Sequence, residues 1–359
     1  MNLNQLRKQI DEIDRKILGL INQRGKIAKE IGKIKTRDAR DYLVPGREQQ
    51  VLERIEAINK GPLSTKSLRA IYREIMSASI AIQSPMRIIY LGPEASFTHA
   101  AALKQFGSSP EFVPGHGIPE IFAAVEKGNV DYGVVPVENS TGGVITHTLD
   151  MFIESDARIW AEIMLPIKLC LLTNAAADTP RVVYSHWQGF EQSKSWLEKN
   201  LPDAEKKTVF STSEAARLAA ADKEGGAVAG KIAAKLYNLN VQAEGIEDMR
   251  ELNFTRFLAI SKNSPERSSR DKTSVMFSIK DRVGALYDML KSFKKHSINL
   301  TRIESRPSRK KAWDYFFFVD MLGHQDDATV SRALEEIEKE SVYLKILGSY
   351  PAGGRAEDL

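Results

Sequence analysis

The sequence predicts a multidomain protein: an all-α front, an α/β middle and an α+β end with the ferredoxin-like order βαββαβ. Three observations predict this. Over the first 84 positions apolar residues recur at helical spacing. After Ser84-Pro85 the period becomes strand-like, and short apolar runs alternate with helical stretches. Beyond a polar, charged stretch from Ser261 to Lys272, patterns follow in the order strand, helix, strand, strand, helix, strand. A length of 359 residues suits two or three domains. The boundaries expected are 1–84, 87–263 and 272–351.

The first helix, roughly Leu3 to Lys35, carries Leu3, Leu6, Ile10, Ile13, Ile17, Leu20, Ile27, Ile31 and Ile34 at alternating three- and four-residue steps. That is a heptad seam. Arg24 stands where the seam wants an aliphatic residue, and a buried guanidinium needs an anion. Lys35, about three turns on, shares that face. Arg7 lies beside the seam but roughly 25 Å from Arg24 along a straight helix. Either Arg7 is a surface charge, or it serves a second site in an antiparallel dimer.

A second helix follows Pro45, with the stripe Val51, Leu52, Ile55 and Ile58 and a stop at Gly61-Pro62. Glu48 falls on its inner face, and Arg47 flanks it. A third helix starts from an N-cap at Ser64 and runs to about Gln83, with Ser79 and Gln83 extending its apolar stripe in polar form. Arg24, Lys35, Glu48, Ser79 and Gln83 thus point into one bundle, a constellation able to grip a small dicarboxylate.

In the middle part, the strand Arg87–Leu91 runs into Gly92-Pro93 and a helix start with Ser96 and Thr98, which reads as an N-cap or an anion site. Val130–Val137 is a strand emptying into Glu138-Asn139-Ser140-Thr141-Gly142-Gly143, the kind of turn where α/β proteins place ligands. Leu165–Leu172 is expected as one strand. Val182–Tyr184 leads to Ser185-His186 and a helix bearing Gln192, and further strands are expected at Val209-Phe210 and Ala227–Ala229. Phe257–Ile260 is the last strand, preceded by Asn253-Phe254-Thr255-Arg256. In the final part, Gly284 opens a helix and Glu304-Ser305-Arg306-Pro307 ends a strand, both consistent with turn chemistry.

Composition limits function. One cysteine, Cys170, excludes an intramolecular disulfide and a Cys-rich metal site. A net charge of +4 spread along the chain suits small anionic ligands rather than nucleic acid. No run is long enough to span a membrane, and the charged, periodic N-terminus is not a signal peptide. These features place the protein in the cytoplasm. Zinc motif, Walker loop and GxGxxG are all missing, so no cofactor and no metal is expected.

The front resembles the all-helical chorismate mutases on Leu6-Arg7, Arg24, Gly32-Lys33-Ile34-Lys35, Arg47-Glu48 and Ser79 with Gln83. The resemblance implies an intertwined homodimer and a Claisen rearrangement of chorismate to prephenate. Arg24 and the partner chain's copy of Arg7 would bind carboxylates. Lys35 and Gln83 would contact the ether oxygen, Glu48 the ring hydroxyl and Ser79 a carboxylate, with Arg47 at the rim. Val44 stands where some relatives carry an Asp.

The middle resembles prephenate dehydratase on Tyr90-Leu91-Gly92-Pro93, Val135-Pro136-Val137-Glu138-Asn139, Tyr184-Ser185-His186 and Asn253-Phe254-Thr255-Arg256-Phe257. That family folds as two α/β lobes like a periplasmic binding protein, with the site in the cleft. It implies Thr255 as the essential hydrogen-bond donor. Glu138 is the only carboxyl in the polar set, and burial would raise its pKa enough to make it a candidate acid. Ser96, Thr98, Asn139, Ser185, Gln192, Asn253 and Arg256 would bind prephenate.

The end resembles an ACT domain on Gly284-Ala285-Leu286 and Glu304-Ser305-Arg306-Pro307, which implies L-phenylalanine as effector. In this order the three resemblances imply the bifunctional chorismate mutase–prephenate dehydratases, acting in phenylalanine biosynthesis under feedback control. The implied assembly is a homodimer, with a tetramer left open. Two rivals remain at this point: an arogenate-preferring dehydratase and a non-catalytic phenylalanine-sensing protein.

Overall fold

The computed structural model describes the chain apart from residues 1, 38–42, 44, 175–178, 250–251, 281, 308–314 and 354–359; of residues 36, 45 and 49 it describes the backbone alone. Val44 therefore lies outside the described residues. Two compact units result: Met1–Arg87 with Phe106–Glu111, and the remainder.

The first unit is helical: α1 (Leu3–Arg37), α2 (Pro45–Ile58) and α3 (Thr65–Gln83). A reciprocal capping box opens α1, in which Gln5 N donates to Asn2 Oδ1 and Asn2 N to Gln5 Oε1, both at 3.0 Å. Ser64 caps α3 as its sequence suggests, accepting from Ser67 N. α3 packs along both α1 and α2. Only the rear of α1 is covered: Ala28 and Gly32 are buried, whereas residues 2–23 are exposed throughout, seam included. At Gly32 an added Cβ would stand 2.9 Å from Gln83 Cβ, so glycine sets the close approach of α1 to α3.

The second unit begins with β1 (Arg87–Leu91), α4 (Phe97–Phe106), β2 (Glu111–Gly115), α5 (Ile118–Lys127), β3 (Tyr132–Asn139), β4 (Gly143–Val144), α6 (Thr146–Glu154) and β5 (Arg158–Pro166). Next come β6 (Leu169–Thr173), β7 (Val182–Ser185), α7 (Trp187–Gln192), α8 (Lys194–Asn200), β8 (Glu205–Thr208), α9 (Thr212–Ala221), β9 (Gly225–Gly230), α10 (Lys231–Tyr237) and β10 (Asn240–Glu244). β11 (Phe254–Ser261) returns to lie between β3 and β5, giving one sheet of order β2-β1-β3-β11-β5 and a second of order β10-β6-β9-β7-β8. The expected strand Leu165–Leu172 is two strands in two sheets, broken at Ile167-Lys168. The strand expected at Val209-Phe210 lies earlier, at β8, and Phe210 is exposed.

β11 begins at Phe254, so Thr255 and Arg256 lie inside the strand and point to opposite faces. Their register partners on β3 are Asn139 and Glu138 respectively.

The chain ends with β12 (Asp271–Ser278), α11 (Ala285–Lys295), β13 (Leu300–Pro307), β14 (Tyr315–Leu322), α12 (Ala328–Glu340) and β15 (Tyr343–Pro351), in a sheet of order β13-β14-β12-β15. One face packs Val275, Phe277, Val319 and Met321 under α11 and α12. The other contributes Met276, Phe318, Leu347 and Tyr350 to a core shared with Phe122, Phe152, Ile159 and Leu258. The polar segment after β11 therefore does not tether a detached module, as its composition suggests: the two parts bury one core.

Candidate functional sites

In the helical unit, Arg24 of α1 reaches α3, where its Nη1 donates to Ser79 Oγ and, at 3.4 Å, to the Ile75 carbonyl. Ser79 Oγ donates to that same carbonyl at 2.6 Å. Gln83 Nε2 donates to Ser79 O at 3.1 Å, while its Oε1 is buried without a hydrogen-bond partner among the described residues. Burial pushes the Glu48 carboxyl up to about 7, against the nearby charges of Arg73 and Lys35. Arg24, Ser79 and Gln83 thus form one hydrogen-bonded set, and Glu48 lies near the charges of Lys35 and Arg73. Arg7 is exposed on the leading part of α1, and Arg47 is exposed with its Nη1 3.5 Å from Gln50 Oε1. The sequence reading missed Arg73; its spacing to Met76, Ile80 and Gln83 on one face of α3 was the available signal.

The raised Glu48 pKa has a stability consequence. Below about 4.5 the carboxyl is neutral in folded and unfolded chain alike. As pH rises from there through 7, the unfolded chain releases the proton first, and stability is lost. The helical unit should lose about 3 kcal/mol over that window, and Glu48→Gln should flatten the slope. Denaturant unfolding followed by circular dichroism across the pH range checks both; an equal slope in the variant removes Glu48 as the cause.

In the second unit, a closed ring of side-chain hydrogen bonds joins Asn139, Asn253, Gln192 and Thr141, and Thr255 is attached to it through Asn139. Asn139 Nδ2 donates to Thr255 Oγ1 at 2.9 Å and to Asn253 Oδ1 at 3.2 Å. Asn253 Nδ2 donates to Gln192 Oε1 at 3.1 Å, and Gln192 Nε2 to Thr141 Oγ1 at 2.9 Å. Thr141 Oγ1 closes the ring on Asn139 Oδ1 at 2.7 Å, an oxygen that also accepts from Gly142 N at 2.7 Å. Asn139 is thereby locked, and Thr255 accepts through its oxygen while keeping its own proton to donate. Thr141 is a ring member that the sequence reading left in the turn; only closure of the ring reveals it.

Other expected members are engaged elsewhere. Ser96 caps α4, accepting from His99 N at 3.2 Å and donating to Leu91 O at 3.1 Å. Thr98 is buried. Ser185 is fully buried and donates to Val228 O at 2.9 Å. His186 caps α7, and burial pushes its imidazole pKa down.

Two assignments need correcting. Arg256 faces away from the ring: its Nη1 donates to Asp320 at 2.6 Å and its Nη2 to Tyr350 Oη at 3.1 Å. Its Nε lies 2.6 Å from Glu162, though not aligned for a hydrogen bond. Glu138, on the same face, accepts from Arg302 Nε at 3.0 Å, which makes it an ion-pair partner rather than an acid in the ring. Strand alternation is the reason in both cases.

In the C-terminal part, Gly284 takes φ +80° at the start of α11, and Ala285 is buried behind it. Leu286 is partly buried. On β13, Arg302, Glu304 and Arg306 are half-buried, whereas Ser305 and Pro307 are exposed. Arg306 is held bidentately by Asp150 at 3.1–3.2 Å. Among the described residues no group of three or more His, Cys, Asp or Glu side chains is placed to hold a metal, and no helix is long and apolar enough to cross a membrane.

Family models match in the same order: chorismate mutase type II over residues 6–84, prephenate dehydratase over 88–265 and ACT domain over 273–339. The bifunctional chorismate mutase/prephenate dehydratase of Aquifex aeolicus is 48% identical over 354 residues, covering 97% of this chain and 98% of that one. The protein of the same description from Escherichia coli K12 is 30% identical over 370 residues, covering 97% of this chain and 95% of its own. The crystal structure of Arthrobacter aurescens prephenate dehydratase in complex with L-Phe superposes with a TM-score of 0.69 at 31% identity, covering 76% of this chain and 91% of that one. With all three domain models in order and relatives matched along almost their whole length, this chain belongs to the bifunctional chorismate mutase/prephenate dehydratase family.

Proposed function

We propose that the chain converts chorismate to prephenate in its helical unit and prephenate to phenylpyruvate at the Thr255 ring, under feedback by L-phenylalanine. The observation that carries the reading is that ring: it fixes the Asn139 amide, which in turn holds one neutral donor, the Thr255 hydroxyl. The domains are 1–84, 87–263 and 272–351, the last two with periplasmic-binding-like and ferredoxin-like folds, and the protein works in the cytoplasm.

The rearrangement is pericyclic: the ether C–O bond breaks as the new C–C bond forms, with no proton transfer. Catalysis is then a matter of holding the chair-like conformer and stabilising charge on the ether oxygen. Arg24 and Ser79 bind carboxylate, Lys35 and Gln83 address the ether oxygen, and Glu48 takes the ring hydroxyl. The exposed seam along residues 2–23 supports a homodimer, because a helix with an uncovered apolar stripe is marginal in water. In such a dimer Arg7 completes the partner's site and Arg47 guards the rim.

In the dehydratase step, the bond to the departing carboxylate breaks and its electrons enter the ring. The C–O bond then breaks, and the hydroxyl leaves as water after gaining a proton. Thr255 donates a hydrogen bond to that leaving oxygen; Asn139 holds Thr255, and Asn253 and Gln192 orient the substrate. Phenylalanine binds at Gly284-Ala285-Leu286 and Glu304-Ser305-Arg306-Pro307.

Supplying chorismate to the full chain should yield phenylpyruvate, and phenylalanine should suppress it. Prephenate without phenylpyruvate, or faster turnover of arogenate than of prephenate, would overturn the assignment of the second step. Gly284→Val, which forces a β-branched residue to positive φ, should raise the phenylalanine concentration for half-inhibition about tenfold. An unchanged value would remove Gly284 from the effector site.

A further inference from the structure

The reverse face of the Thr255–Asn139 pair is held by charges from the C-terminal sheet. Arg256 follows Thr255, and Glu138 precedes Asn139, and the two sit directly across from each other on β11 and β3. Arg256 is clamped by Asp320 of β14 and Tyr350 of β15. Asp320 and Tyr350 both hydrogen-bond Ser274 of β12, so these three strands meet at one guanidinium. On the other side, Lys272 holds both oxygens of Glu162 at 2.8–2.9 Å, and Glu162 flanks Arg256. Burial alone would raise both carboxyls, but the Arg256 charge holds Asp320 and Glu162 below the usual carboxylate range. Buried ions with this many partners resist rearrangement, because removing any one strands the others.

Glu138 is held by a different strand. Arg302 of β13 donates to it at 3.0 Å, and Arg302 Nη2 lies 3.9 Å from Glu304, on the strand that also bears Ser305 and Arg306. That Nη2 is buried and lacks a hydrogen-bond partner among the described residues. Arg302 therefore stands between two carboxylates, one beside Asn139 and one on the proposed effector strand. A cavity with room for no more than about one water lies at this joint, lined by Arg302, Arg256, Ser274, Asp320 and Val137.

We infer that Arg302–Glu138 and Arg256–Asp320 are positioning contacts through which the C-terminal sheet sets the geometry of the Thr255–Asn139 pair. The Arg302–Glu138 pair is the one that answers to the effector strand. Neither Arg256 nor Glu138 touches substrate. The inference rests on the Thr255 ring being the dehydratase site, and its test includes a readout independent of turnover.

The test compares Arg302→Met, Glu138→Gln and the double variant in the full chain. Each single variant should lower dehydratase kcat about tenfold with little change in KM, leave mutase turnover intact and weaken phenylalanine inhibition. The double variant should be no worse than either single one, because both remove one contact. Multiplying losses, or a Glu138→Gln loss far exceeding that of Arg302→Met, would overturn the inference, the latter by making Glu138 an acid. Arg302→Lys keeps the charge and should restore part of the rate; it also stands in if Arg302→Met does not fold. Amide exchange should accelerate at Asn139 and Thr255 in Arg302→Met. Unchanged protection there would refute the coupling whatever the turnover, whereas absent dehydratase turnover in the parent chain would refute only the reading of the site.

Discussion

Thr255→Ala is expected to lower dehydratase turnover about 100- to 1000-fold, the usual cost of removing one preorganised donor at developing negative charge. The hydroxyl is the ring's outward-acting group, since Asn139 already supplies the hydrogen bond that its oxygen accepts. Alanine also leaves Asn139 Nδ2 with Asn253 Oδ1 and Phe254 O at 3.2 Å, so the ring should persist and the loss should fall on kcat. Thr255→Ser keeps the hydroxyl and should retain most of the rate. Mutase turnover in the same preparation serves as the folding control. Surviving dehydratase turnover in the alanine variant would take Thr255 out of the site.

Lys35→Ala should lower mutase turnover about 1000-fold and spare the dehydratase. Charge building on the ether oxygen is the one feature of a pericyclic step that an ammonium can stabilise. A second readout follows from the structure. The Lys35 charge helps to hold the Glu48 carboxyl down to about 7 against burial, so its removal should shift the Glu48 titration upward. Equal loss of both activities would refute independent sites. Mutase loss without a shift at Glu48 would mean that the two groups do not share a pocket.

Phenylalanine regulation is best tested by point substitution. Deletion from about residue 264 looks harmless from composition, but it would strip Met276, Phe318 and Leu347 from the core under Ile159 and Leu258. It would also take Asp320 and Tyr350 from Arg256 and Lys272 from Glu162, breaking up a buried ion network. Loss of inhibition in that fragment would then be inseparable from loss of structure.

Much was legible in the sequence where the physics is local. The heptad seam, the Ser64 cap and the helix Ile118–Lys127 with its left-handed Gly128 stop follow from periodicity and capping over a few residues. The Asn2–Gln5 capping box is equally local. Pairing Arg24 with Ser79, and Ser79 with Gln83, required only helical faces. Thr255, Asn139, Asn253 and Gln192 stood out as polar residues at apolar strand ends.

By itself, then, the chain's sequence determined its three-part order and most of its helices, because each depends on neighbours within a few turns. Tertiary structure alone decided which face the polar strand residues serve. Arg256 and Asp320 are 64 positions apart, and Glu138 and Arg302 are 164 apart. Side chains on a strand reverse at every residue, so starting β11 at Phe254 rather than Phe257 turns Arg256 from a substrate ligand into a buried partner of Asp320. Which distant carboxylate compensates a buried guanidinium is a property of sheet register, and register becomes known only when the strands are paired.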